Sequence, residues 1–156
     1  MPTLYEVLED DDFMPEFRQS NELLLKFLTQ EKMCQVIRLV TEEPAFNDNP
    51  SRCFKLPFVA TQVLCVENVH NSQMIFDDED FTILKELMKF INVKEEVQLN
   101  STLCGYFNKI LSFWLIKKPN QMIRYIKASS NFINDLINHI YLNSSIIDIL
   151  VRICCI

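Results

Sequence analysis

The chain has 156 residues, 49% of them hydrophobic, a single glycine (Gly105) and a formal net charge of −6. Its length suffices for one domain with a sizeable core, but phosphate-cradling loops, dinucleotide-binding turns and tight hairpins all lean on glycine and are excluded, which leaves an all-α fold. An acidic chain without an Arg-rich tract is also a poor match for a nucleic-acid backbone.

The N-terminus, MPTLYEVLEDDD, is acidic and lacks the basic, apolar and small-residue zones of a signal peptide, which predicts a cytoplasmic, or also nuclear, protein. Phe13, Phe17, Leu24, Leu25 and Leu28 fall close to one helical stripe. Asp11 or Asp12 can cap its start, Pro15 suits the first turn, and Ser20 and Asn21 mark a bend or a second cap. Met33, Val36, Ile37 and Val40 repeat at three and four residues, predicting a helix over 30–42 that ends before Pro44. EPAFNDNPSR is a long loop, after which LPFVATQVLCVEN resumes a helix with Pro57 in its first turn.

FDDEDFTILKELMKFI is the cleanest amphipathic segment, with Phe81, Leu84, Leu87, Met88 and Ile91 as its stripe. Beyond NVKEE a long helix spans about 99–117 and stops before Pro119. Helices over 121–127, 130–141 and 144–153 complete the set, with SS and NSS as cap signals. The sequons at Asn100 and Asn143 are then incidental to an Asn- and Ser-containing intracellular chain.

Helix pairs starting near 13, 56 and 98 recur at ~40 residues, the period of HEAT and armadillo repeats. The expected architecture is a HEAT/armadillo-like α-solenoid of antiparallel helix pairs, forming one domain over 1–156. The closing SSIIDILVRICCI is apolar nearly all round and has no capping character, whereas a terminal repeat needs a polar outer face. The expectation is that 1–156 is the N-terminal portion of a longer stack, with an exposed last helix open to weak homodimerisation.

Charge is unevenly spread. Residues 1–80 carry six Lys/Arg against sixteen Asp/Glu, and residues 81–156 carry nine against five. The one basic concentration, Lys109, Lys117, Lys118, Arg124 and Lys127, is the candidate partner-binding surface. Acids 77–80 precede a helix and favour capping over metal binding, because an EF-hand would need its Gly and a Glu at the twelfth position. LEDDDF has the same explanation, with docking of a basic partner as the alternative. The six cysteines form no C-x-x-C and sit at no ligand spacing from His70 or His139, so buried free thiols are expected. His139 has apolar neighbours and no readable partner, and Tyr106, Phe107, Phe113 and Trp114 are core aromatics at helical spacing. No catalytic, cofactor-binding or metal residues emerge.

Three stretches carry a family signal: ELLLKFLTQEKMCQVIRLVTEEP, FKLPFVATQVLC and YFNKILSFWLIKKPNQMIRYIKASSNFINDLINHIYLNSSIIDILVRI. In order and spacing they resemble the N-terminal part of the SAPS domain, found in regulatory subunits of the Sit-four and protein phosphatase six catalytic subunits. FKLPF in place of a Tyr-rich opening, and the missing Gly after the His139–Ile140 pair, mark a divergent member. The resemblance implies a non-catalytic scaffold that binds a serine/threonine phosphatase catalytic subunit and directs it to substrates. The residues alone imply a helical scaffold, which an adaptor for another protein cargo would equally satisfy.

Overall fold

A computed structural model describes residues 1–94, 96–141 and 143–156, so Glu95 of the NVKEE connection and Leu142 lie outside the described residues. The described residues contain no strand. The helices are α1 (Leu4–Glu9), α2 (Phe13–Arg18), α3 (Glu22–Phe27), α4 (Gln30–Thr41) and α5 (Leu56–Leu64), the last entered through a π turn at Ser51–Lys55. Then come α6 (Val69–Asn71), prolonged by a second π turn at Ser72–Phe76, α7 (Thr82–Met88) and α8 (Ser101–Lys117). The chain closes with α9 (Pro119–Ala128), α10 (Phe132–Asn138) and α11 (Ser144–Cys154).

Short polar side chains set most of the starts by accepting from the orphan amides of the first turn. Thr3 and Glu6 form a capping box on α1, Asn21 accepts from Leu23 and Leu24, and Thr29 accepts from Lys32. Asn100 and Asn143, the two sequon residues, cap α8 and α11. The stripe 13–28 breaks where the sequence suggested, since Ser20 adopts a φ of 59° and Asn21 opens a new helix. Two expected caps are corrected. Asp12 precedes α2 without a side-chain cap bond, its neighbour Asp11 instead facing Lys55 at 3.7 Å. The SS pair does not open α10 either, because Ser129 closes α9 and Asn131 precedes Phe132.

Packing joins α4 with α5, α7 with α4, α8 with α4 and α5, and α11 with α8. Gln30 Nε2 donates to Asp78 Oδ2 at 3.0 Å, and Arg38 Nε donates to Glu86 Oε1 at 2.9 Å. Both bonds span 48 residues, so α4 and the segment containing α7 run in the same direction. Trp114 Nε1 donates to the Leu64 carbonyl at 2.9 Å across 50 residues, fixing α8 against the end of α5. Among the described residues, every side-chain hydrogen bond between groups more than ten residues apart spans 42 to 50 residues. A stack in which each unit leans on the preceding one produces such a constant offset, so these packed helix pairs are consistent with an α-solenoid.

The core is a single cluster running from Leu4 to Ile149, with Phe17, Phe107, Trp114 and Phe132 among its largest fully buried members. The last helix corrects part of the sequence expectation. Ile146 and Ile149 are fully buried, with α11 packed on α8, while Ile147 and Val151 remain 44% and 57% exposed. One face of SSIIDILVRICCI is covered and the other is not.

Candidate partner-binding surface

The structure divides the five candidate cations. Lys109 and Lys117 lie on α8, Lys118 joins α8 to α9, and Arg124 and Lys127 lie on α9. Arg124 has structural work to do: its Nη2 donates to the Phe76 carbonyl at 3.1 Å and its guanidinium lies 5.3 Å from the Phe81 ring centroid. Lys117 Nζ sits 3.4 Å from Glu67 Oε2. Lys127 is exposed and makes no ion pair among the described residues.

Lys109 lines a cleft of about 470 Å³ together with Arg18, Gln62, Cys65, Val66 and Glu67. Next to it, a smaller hollow is lined by Lys117 and Lys118 and shares Val66 and Glu67 with the first. The fold therefore gathers Lys109, Lys117 and Lys118 around Glu67 and adds Arg18, a residue of the acidic half that no local sequence signal could have selected.

The remaining candidates are structural. Asp78 accepts from the amides of Thr82 and Asp80 as well as from Gln30. These bonds, the Thr82 amide first among them, hold its carboxyl below the usual carboxylate range. The acidic turn is thus a cap and an inter-helix tie. Phe107 and Trp114 are buried, and Tyr106 and Phe113 pack partly against the core. His139 is fully buried, with neither ring nitrogen hydrogen-bonded among the described residues. Of the cysteines, Cys34 and Cys104 are buried and Cys53 and Cys65 half-buried, but Cys154 and Cys155 are exposed, correcting the expectation of uniformly buried thiols. Burial pushes the thiols of Cys65 and Cys104 up to about 11, which keeps them protonated and weakly nucleophilic. Among the described residues no group of three or more His, Cys, Asp or Glu is placed to hold a metal, and no helix is long and apolar enough to cross a membrane.

What this geometry defines is a stacked-helix scaffold whose cations ring a surface cleft. No family model matches the chain, and no solved structure matches it either. Curated proteins do match. Serine/threonine-protein phosphatase 6 regulatory subunit 2 of Mus musculus is 30% identical over 152 residues, covering 97% of this chain and 16% of the relative. Regulatory subunit 3-B of the same phosphatase from Xenopus laevis is 29% identical over 152 residues, covering 97% and 17%. Extragenic suppressor of kinetochore protein 1 of Schizosaccharomyces pombe is 25% identical over 158 residues, covering 96% and 18%. The chain spans less than a fifth of the length of the curated relatives it matches. The resemblance to the SAPS-domain family is borne out: this chain is a divergent relative of those regulatory subunits, homologous to one stretch of them.

Proposed function

We propose that the chain is part of a non-catalytic regulatory subunit that binds a serine/threonine protein phosphatase catalytic subunit and directs it to substrates. The observation that carries this is the match over 97% of the chain to proteins named as phosphatase 6 regulatory subunits. The helical stack supports it, because rigid stacked helices present extended surfaces to partners. Within this proposal the stack is HEAT/armadillo-like, built of antiparallel pairs in one domain over 1–156, and it belongs to the N-terminal part of a longer SAPS domain. The partner surface is drawn from Lys109, Lys117, Lys118 and Lys127, with Arg124 acting through its hold on Phe76 and Phe81. The scaffold works in the cytoplasm or nucleus, and a second copy can meet the uncovered face of α11. Affinity purification of the tagged chain from cells, followed by mass spectrometry, should recover a serine/threonine phosphatase catalytic subunit. Recovery of none, with this chain and with a longer protein containing it, overturns the proposal.

A further inference from the structure

We propose that the cleft bounded by the end of α2, the end of α5 and the middle of α8 docks an acidic segment of a partner polypeptide. Arg18 and Lys109 would grip it, with Lys117 and Lys118 on the adjoining rim. Arg18 and Lys109 are both exposed and line the same hollow. Neither has a carboxylate within ion-pair distance among the described residues. In a chain with 21 acids to 15 bases, acids to neutralise such a pair are plentiful, yet only one lines the cleft. The one carboxylate on the rim, Glu67, is already engaged by Lys117.

The rest of the lining adds no negative charge. Gln62 is an amide, and the half-buried Cys65 thiol is protonated. Val66 lines both hollows, and Phe113 lines the smaller one. Phe113 and Ile116 follow Lys109 by four and seven residues and so share its side of α8, Ile116 being 63% exposed. The two adjoining hollows thus combine cations with the apolar side chains of Val66 and Phe113. Their complement is a segment that combines carboxylates with aliphatic side chains. Arg18 supplies a planar fork suited to bidentate carboxylate binding and Lys109 a point charge.

This rests on the chain being a partner-binding scaffold, and it can be tested without any phosphatase. A fluorescein-labelled peptide alternating Glu and Leu, titrated with the chain at low ionic strength, should bind by anisotropy and weaken as salt is added. Arg18→Glu with Lys109→Glu should weaken binding about tenfold or more, while Lys109→Arg retains it. Lys26→Glu with Lys85→Glu, which changes net charge equally at exposed positions elsewhere, should alter affinity less than about twofold. Both double variants are expected to keep wild-type helicity and melting, since all four side chains are exposed. A wild-type chain that ignores the peptide, or two double variants that weaken it alike, overturns the proposal. Peptide binding with no phosphatase recovered, by this chain or by a longer protein containing it, would sink the regulatory-subunit proposal and leave the cleft intact.

Discussion

Ser20 and Phe81 hold φ angles of 59° and 53°, in the left-handed region where a side chain is costly. The only glycine, Gly105, lies inside α8, where its freedom is a liability. A Cβ built at position 105 meets nothing within 4 Å. Gly105→Ala should therefore stabilise the chain by about 1 kcal/mol, raising the melting temperature by about 3 °C. Ser20→Gly should also stabilise, by less, because glycine relieves the exposed turn but loosens the unfolded chain. Phe81 does not follow the same rule. Its ring packs edge-on against Tyr125 at 5.3 Å and beneath Arg124, so glycine there forfeits more packing than it relieves in strain. Urea titration checks all three, and a lowered midpoint for Gly105→Ala would show that the helix face at 105 is not open.

The pair α4 and α7 offers a pH test. The Glu86 side chain is 12% exposed, and burial works to raise its pKa, but hydrogen bonds from Lys89 and Arg38 outweigh it and hold the carboxyl below its ordinary value. A depressed folded pKa stabilises above the unfolded value of about 4.3, and the gain is lost as pH falls through the folded pKa. Glu86→Gln should then cost about 1 kcal/mol at neutral pH, since Arg38 is half exposed and the pair is partly screened. Melting curves of the two proteins should converge as pH falls from the unfolded value through the lowered folded pKa, and a constant gap across the range would assign the effect to shape rather than charge. Helix α4 was legible because its buried stripe and its Pro44 stop are both local. Helix α1 was missed although Thr3–Glu6 spells a capping box, its apolar count being too low to show a period. The 69–76 segment was missed for a different reason. Asn71 is 3% exposed and donates to the Val63 and Val66 carbonyls, so a residue that looks like loop chemistry is a buried plug on the end of α5. The cleft was half legible: Lys109 and Lys117 stood out by local charge density, while Arg18 joins them only through tertiary packing.

At the scale of the whole molecule, the recurring 42- to 50-residue offset means that each unit finishes its neighbour's core, and the uncovered side of α11 is where that logic has no further contact among the described residues. Substituting Ile149 would not test this face, because Ile149 is fully buried and a charge there would break the core itself. Ile147 and Val151 are one turn apart and exposed, and they are the positions to change. An isologous contact between two copies through this face would remove on the order of 300 Å² of apolar surface, about 7 kcal/mol at ~25 cal/mol per Å². Association costs of roughly 4–15 kcal/mol offset most or all of that, so any dimer is weak. Sedimentation equilibrium should show apparent mass rising with concentration for the wild type. Ile147→Glu with Val151→Glu should stay monomeric at every concentration while keeping wild-type helicity, because neither side chain belongs to the buried cluster. A wild type that remains monomeric up to its solubility limit would rule the self-association out.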